Sequence, residues 1–220
     1  MLQYEVQQYM PVDLENYIIQ SKILDSMEEN ETKKTRFLAT AVPKDVAQSY
    51  YDLMQKVNLK AAVLDIQSNS ASKLALAEIA ASNNSLVRKD EAVAIVDFGY
   101  SHMNIILIED GKYQFNRYIS QGAANIDRSL ISVFEYSEEE IERKKAEDID
   151  LNISLPLSES SSQDSDQASL REANIVKDAI DNWSDELESV FKYYTSRSKG
   201  KTVQKIFVHG GASQIKGFSG

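Results

Sequence analysis

The chain has 220 residues, of which 42% are hydrophobic, and it carries a formal net charge of −10 at pH 7. This length and apolar fraction suffice for a buried core in one or two domains. The acidic balance, with a pI near 4.8, argues against non-specific binding to nucleic acid or anionic lipid, because both require a basic surface. Cysteine is absent, which excludes disulfides, thiol nucleophiles and cysteine metal sites and suits a reducing cytosol.

The sequence also argues against direct membrane insertion and secretion. No apolar run approaches the roughly 20 residues that span a bilayer. The N-terminal stretch MLQYEVQQYMPVDLENY lacks the basic segment and apolar core of a signal peptide. We therefore expect a cytoplasmic protein. A metal site or catalytic triad built on histidine is not favoured, because the sequence contains only two histidines, His102 and His209.

The first part of the chain, residues 1–83, alternates helical and extended patterns as an α/β or α+β unit does. Pro43 opens a helix with a recurring apolar stripe, which predicts a core-facing side. The stripe consists of Val46, Tyr50, Leu53, Met54 and Val57. The predicted elements are a short helix at 5–9, strands at 17–24 and 36–42, the helix after Pro43, a strand at 62–66 and a helix at 70–81.

The middle part predicts an antiparallel meander after a hinge at residues 83–85. Asp110-Gly111 is typical of a tight hairpin turn, and residues 97–102 form the other predicted turn. The predicted strands are 92–96, 103–108 and 113–119, followed by a turn at Gly122 and a helix at about 125–136.

The last part predicts two helices and a strand. Ser137 caps a charged helix with glutamates in its first turn and lysines later, as the helix dipole favours. Residues 152–169 are serine-rich and acidic and predict a mobile loop. A long amphipathic helix at 170–197 ends before Gly200, and a strand at 203–208 runs into Gly210-Gly211.

The turn Asp97-Phe98-Gly99 is the first candidate site. A turn between two strands points backbone N–H groups toward a phosphate, and glycine allows close approach. Its aspartate is suited to hold Mg²⁺ through water. An Asp-x-Gly turn is more often just a turn. The kinase interpretation fails because no glycine-rich loop, strand lysine or catalytic-loop motif accompanies it.

Two further patterns have both a functional and a plain interpretation. Gly210-Gly211-Ala212-Ser213 follows a strand, so a nucleotide could lie against its backbone, although a tight connection explains the glycines equally. Glu142 and Lys145 are three residues apart and share a helical face, which in most helices is simply a solvated charged face. Their order along the chain is more informative than any one of them.

In that order, the motifs resemble the second half of actin-like ATPases. The stretch IVDFGYSHMNIILIEDGKYQFNRYISQGAANIDRSL is similar to the phosphate hairpin, the R-x-I-x-x-G strand end and the following helix of the type IV pilus assembly PilM family. EIERKK is similar to its A-E-x-x-K helix, and IFVHGGASQIKGF to its adenosine segment. Upstream, EVQQYMPVDLENY and FLATAVPKDVAQSYYDLMQKVNLKAAVLD are similar to the small subdomain that this family shares with the division protein FtsA.

The resemblance implies an α/β protein with an actin-like (ribonuclease H-like) lobe and a small α+β, SHS2-like subdomain. The implied domains are the subdomain at 1–66, a connecting helix of the first lobe at 67–88 and the second lobe at 89–220. ATP or ADP with Mg²⁺ is the implied cofactor of the intact protein, with Asp97 holding Mg²⁺ through water. The implied contacts are Asp97, Gly99, Tyr100 and Ser101 in the second phosphate loop, Glu142 and Lys145 at the ribose and adenine, and Gly210, Gly211, Ala212 and Ser213 at the adenosine wall.

The sequence also departs from the family pattern. The family's first phosphate hairpin should precede the small subdomain, and further elements should follow residue 220, so we expect a piece of a longer protein. His102 and Met103 stand where relatives often carry threonine or serine, and Ile141 replaces the alanine before Glu142. The usual third glycine before Ala212 is replaced by His209 or absent, depending on the alignment. With one phosphate loop, this piece should bind nucleotide weakly or not at all and show at most weak ATPase activity.

The resemblance implies a cytoplasmic adaptor, peripheral to the inner membrane through its partners. It would dock the N-terminal cytoplasmic peptide of a PilN-like membrane protein and contact other pilus assembly or secretion proteins. The alternative is an FtsA-like or chaperone-like ATPase that polymerises or cycles conformation. A third interpretation is an α/β domain without a nucleotide site.

Overall fold

A computed structural model describes most of the chain and divides it into two compact units, Met1–Gln67 and Ser68–Gly220. The predicted helix at 5–9 and the predicted hinge at 83–85 lie outside the described residues. The assignment of segments to named subdomains stays a prediction. The described residues are 13–29, 32–81, 91–152, 164–198 and 200–218.

The first unit contains a long antiparallel hairpin. Strands β1 (Tyr17–Glu29) and β2 (Thr32–Pro43) pair along their whole length, with an irregularity between Ile23 and Asp25. A 3-10 turn at Leu14–Asn16 precedes β1. Both predicted strands are confirmed, and each is longer than its apolar run because polar residues continue the pairing.

Helix α1 (Lys44–Lys56) follows directly on Pro43, as the sequence predicts. The prediction that its apolar stripe faces a core is wrong. Val46, Tyr50, Leu53 and Val57 are between 42% and 54% exposed. The helical spacing determines which residues share a face, but it does not determine whether another element packs against that face.

The predicted strand at 62–66 is also wrong. These residues have no regular secondary structure, and Val63 is 81% exposed. Strand-forming side chains need a neighbouring strand to pair with, and none of the described strands pairs with this segment. Helix α2 (Gln67–Ala81) follows and begins three residues before its predicted start.

The second unit contains a four-stranded sheet in the order β5-β4-β3-β6. β3 is antiparallel to β4 and parallel to β6, and β4 is antiparallel to β5. Asp110 and Gly111 adopt positive φ angles of 53° and 69°, as a tight hairpin turn requires. The predicted meander is therefore confirmed. The strands are β3 (Ala92–Phe98), β4 (Met103–Glu109), β5 (Lys112–Ile119) and β6 (Val203–His209).

Three helices follow the meander in sequence. They are α3 (Ala123–Phe134), α4 (Glu138–Arg143), which continues as a π-helical segment (Lys144–Asp148), and α5 (Asp164–Arg197). The predicted mobile loop at 152–169 is wrong for 164–169, which belong to α5, while 153–163 lie outside the described residues. Acidic residues at a helix start complement the helix dipole, so charge did not exclude a helix here. No helix among the described residues is long and apolar enough to cross a membrane.

The core of this unit lies between the sheet and the helices α3, α4 and α5. Strand β3 is buried throughout, as expected for a continuous apolar run at the centre of a sheet. Trp183 of α5 is 1% exposed and packs 5.6 Å from Phe98, the last residue of β3. This contact fixes the end of β3, where the candidate site begins.

Candidate functional site

The predicted site begins at the carboxyl ends of β3 and β6. These strands are parallel, with Asp97 opposite His209, so both chains leave the sheet at the same edge. Ligands of open α/β sheets bind at this edge. The predicted turn at 97–102 is shorter than expected, because Asp97 and Phe98 still belong to β3. The loop itself is Gly99–His102, which we call the β3–β4 loop.

Backbone hydrogen bonds attach the β3–β4 loop to the start of α3. The N–H of Gly99 donates to the carbonyl of His102 at 3.1 Å, which closes the loop. The carbonyls of Gly99 and Tyr100 accept from the N–H groups of Ala123 and Ala124 at 3.0 and 2.8 Å. The first turn of α3 therefore holds this loop, while the side chains of Tyr100 and Ser101 are exposed.

Gly122, the residue that caps α3, is a structural part of the site that the sequence indicated only as a turn. A Cβ atom at this position would lie 2.4 Å from the carbonyl oxygen of Tyr100, 2.6 Å from that of Gly99 and 2.8 Å from the nitrogen of His102. Only glycine fits against these backbone atoms. The strand-Gly-helix pattern could have indicated such a close approach.

The structure brings together Asp97 and Gly210, two of the predicted site residues. Gly210 has a φ of 98°, and a Cβ atom there would lie 2.4 Å from Oδ1 of Asp97. Asp97 is buried at 7% exposure, and the same oxygen is 3.5 Å from Nδ1 of His209. The described residues contain no cluster of three side chains that could hold a metal ion. The role of Asp97 in holding Mg²⁺ stays a prediction, and water and phosphate would have to supply the other ligands.

The four residues after Gly210, Gly211–Gln214, form a 3-10 turn. Gly211 is exposed, and no atom lies within 4 Å of where its Cβ would be. Ala212 is buried, and the hydroxyl of Ser213 donates to the carbonyl of Gly210 at 2.7 Å. In the predicted adenosine wall, Gly211 thus exposes its backbone to a ligand, whereas Ala212 and Ser213 stabilise the turn.

Three other predicted residues, Tyr100, Ser101 and Glu142, line one cleft of about 500 Å³. The β3–β4 loop forms one side, and α3 and α4 form the others. Asp127 and Arg128 of α3 also line it. The two loop residues and the helix residue are about 40 positions apart in sequence, so the fold, and not sequence proximity, makes this cleft.

Lys145 is fixed by two carboxylates. Its Nζ lies 2.6 Å from Oε1 of Glu142 and 2.8 Å from Oδ1 of Asp127. Burial lowers the pKa of Lys145, but the hydrogen bonds to Asp127 and Glu142 outweigh burial and raise its pKa above the usual value. The Lys145 side chain is 11% exposed and that of Glu142 is 70% exposed, so Glu142 is the more available of the two to a ligand.

Sequence reasoning missed Asp127. It lies four residues after Ala123 and three before Leu130, and all three are buried on α3. A carboxylate at an apolar position of a helical pattern was the available signal, because a buried charge is retained when it is paired.

One further contact ties the two parts of the site together. Lys216, just after the 3-10 turn, binds Asp150 at 2.6 Å, and its carbonyl accepts from the N–H of Leu151 at 2.9 Å. The hydrogen bond from Lys216 lowers the pKa of the Asp150 carboxyl. The segment that follows α4 is therefore joined to the segment that follows Gly210 and Gly211.

Comparisons of the sequence and of the fold with known proteins indicate the same family. The sequence profile of the family described as type IV pilus assembly protein PilM matches residues 1–220. No curated protein matches the sequence significantly. The fold is similar to a chain of a PilM-PilN type IV pilus biogenesis complex, with a TM-score of 0.73 at 14% identity, over 99% of this chain and 56% of that one. It is also similar to MreB 5 of Spiroplasma citri bound to AMPPNP, with a TM-score of 0.50 at 12% identity, over 80% of this chain and 55% of that one.

These neighbours are actin-like ATPases, and the predicted actin-like α/β fold is confirmed. The chain spans little more than half the length of the structures that it matches. At these identities the similarity concerns the fold, whereas the chemistry of the site depends on its own residues.

Proposed function

Because the chain belongs to the type IV pilus assembly protein PilM family, we propose that it is part of a cytoplasmic adaptor that binds a nucleotide and docks the N-terminal cytoplasmic tail of a PilN-like membrane protein. The observation that carries the proposal is the family match over residues 1–220 together with the similarity of 99% of the chain to a PilM-PilN complex chain. Other pilus assembly proteins would be further partners, and the adaptor would lie at the inner membrane through them.

The residues of the candidate site fit the sugar and base half of a nucleotide. Glu142 presents an exposed carboxylate to the cleft, and a carboxylate accepts hydrogen bonds from ribose hydroxyls. Gly211 presents backbone without a side chain. The segment that carries Glu142 is held by the ion pair of Lys145 with Asp127. The turn that contains Gly211 is held by the buried side chain of Ala212.

The β3–β4 loop fits the phosphate half less completely. Ser101 supplies an exposed hydroxyl, and glycine at position 99 allows close approach. Bound nucleotide would bring phosphate oxygens, which are the ligands that Mg²⁺ prefers together with water and a carboxylate such as Asp97. We expect slow hydrolysis and a structural role for the nucleotide, because hydrolysis also requires a water molecule and a base that are aligned with the phosphate.

The exposed face of α1 is the surface that we propose for the partner peptide. Tyr50 and Leu53 are 53% and 49% exposed on the first unit, and they share a helical face with Val46 and Val57. An exposed apolar face of this kind marks a site of protein interaction. The acidic chain, with a net charge of −10, suits a basic or amphipathic peptide.

Calorimetry of the full-length protein with Mg-ATP tests the nucleotide part of the proposal. We expect saturable binding that Glu142→Ala weakens. The matched control is Glu188→Ala, which removes a similarly exposed carboxylate from a surface pair with Lys192 on α5. If the wild-type protein binds no nucleotide, or if both variants bind as tightly as the wild type, the proposed site is wrong.

A pull-down with the N-terminal peptide of a PilN-like protein tests the adaptor part. Retention of the peptide by the wild type and loss of retention by Leu53→Ser are expected. Gln48→Ala, on the opposite face of α1, is the control. Failure of the wild type to retain the peptide, together with brisk phosphate release from ATP, would favour the ATPase that polymerises or cycles conformation.

A further inference from the structure

Glu172 of α5 is a buried carboxylate outside the cleft. It is 2% exposed. Its Oε1 accepts a hydrogen bond from the hydroxyl of Tyr136 and lies 2.7 Å from Nζ of Lys144. A buried carboxylate has to be paired and hydrogen-bonded, and both partners of Glu172 meet at a single oxygen.

These two partners flank the helix that carries Glu142. Tyr136 directly precedes Ser137, the N-cap of α4. Lys144 directly follows Arg143, the last residue of α4. The ammonium of Lys144 also lies 4.9 Å from the centre of the Tyr136 ring. One carboxylate of α5 therefore holds both ends of a helix of six residues, Glu138–Arg143.

The two neighbouring lysines of the π-helical segment contact different elements. The N–H of Ile149 donates to the carbonyl of Lys144 at 2.8 Å, a bond that spans five residues and is typical of a π turn. Lys144 reaches Glu172 on α5, whereas Lys145 reaches Asp127 on α3 and Glu142 on α4. Any shift of α4 that breaks the first contact also moves the residues that line the cleft.

We propose that Glu172 is a positioning residue for the nucleotide site, because it holds both ends of α4 and so keeps Glu142 turned toward Tyr100 and Ser101. This inference rests on the proposed nucleotide binding. Glu172 does not line the cleft, and it acts through Tyr136 and Lys144. If Glu172 only stabilised the fold, its replacement would lower the free energy of unfolding and leave the arrangement of α4 in the folded protein unaltered.

The test compares Glu172→Gln with Lys201→Met in the full-length protein. The first variant removes the negative charge on α5 that pairs with Lys144. The second removes the ion pair of Lys201 with Glu109, 2.6 Å apart at the opposite end of the sheet. Two measurements are made, the affinity for Mg-ADP by calorimetry and the hydrogen exchange of amides 138–148. Loss of partners that orient ligand groups weakens binding about 10–100-fold in metal sites, and we expect a loss at the lower end of that range for Glu172→Gln.

The expected result is weaker binding and faster exchange at 138–148 in Glu172→Gln, with neither change in Lys201→Met. Unchanged exchange at 138–148, or a loss of affinity equal to that of Lys201→Met, overturns the inference. If the wild type binds no Mg-ADP, the proposed function fails, and the exchange of 138–148 still decides whether Glu172 holds α4. Tyr136→Phe, which removes one hydroxyl, replaces Glu172→Gln if that variant does not fold, and a smaller change in the same direction is expected.

Discussion

Replacement of Gly122 by alanine tests the claim that the β3–β4 loop is locked to the start of α3. The new methyl group would lie 2.4 to 2.8 Å from three backbone atoms of residues 99, 100 and 102. These atoms belong to a loop held by Ala123 and Ala124 through hydrogen bonds of 3.0 and 2.8 Å. Relief of the overlap therefore requires the loop to move and both hydrogen bonds to lengthen.

The expected loss of stability follows from these contacts. Overpacking costs about 1–3 kcal/mol, and two weakened hydrogen bonds cost about 1 kcal/mol each. Alanine gains back about 0.4–1 kcal/mol by restricting the unfolded chain. We expect the free energy of unfolding to fall by about 2–5 kcal/mol, the sum of these effects.

Urea unfolding followed by the fluorescence of Trp183 is the assay. This single tryptophan is buried against Phe98, next to the loop. Gly211→Ala is the matched control, because no atom lies within 4 Å of its Cβ position, and it should change stability by less than about 1 kcal/mol. Equal stability of Gly122→Ala and Gly211→Ala would refute the close approach.

Three further predictions concern single groups. Ser137→Ala removes the N-cap of α4 and should cost about 1 kcal/mol in urea unfolding at pH 7. Because hydrogen bonds from Ser137 lower the pKa of Glu140, this cost should shrink as the pH falls through that lowered pKa; a cost independent of pH would contradict the capping box. Burial and the hydrogen bond to Glu109 raise the pKa of Tyr194 to about 12, so an ultraviolet titration should show a tyrosine that ionises near pH 12 and that Tyr194→Phe lacks. The stability that this group contributes is complete below the ordinary tyrosine pKa and is lost as the pH rises through the raised one, and an unchanged titration in Tyr194→Phe would assign the late ionisation elsewhere. Gly211→Leu should abolish nucleotide binding measured by calorimetry without lowering the urea midpoint, and retained affinity would place the ligand elsewhere.

The sequence predicted the strands of the second unit well because their signals are local. The continuous apolar run of β3 and the Asp110-Gly111 turn each determine their own geometry. The capping of α4 by Ser137 is similarly local and was predicted correctly. Order along the chain, more than any single motif, carried the prediction of an actin-like fold.

Predictions that depended on an unseen neighbour failed. Residues 62–66 have strand-forming side chains but no described strand beside them, and no described element of the first unit covers the apolar face of α1. Asp127 and Glu172 were missed because their partners, Lys145 and Lys144, lie on other helices. Sequence spacing gives the face of a helix, whereas ion pairs between helices depend on how those helices pack.

Binding of the PilN-like N-terminal peptide, measured by fluorescence anisotropy on the full-length protein with and without Mg-ATP, tests the central claim most directly. We predict saturable binding that Leu53→Ser weakens and Gln48→Ala leaves unchanged, with slow phosphate release under the same conditions. Absence of peptide binding by a folded, nucleotide-bound protein that releases phosphate rapidly would contradict the adaptor function.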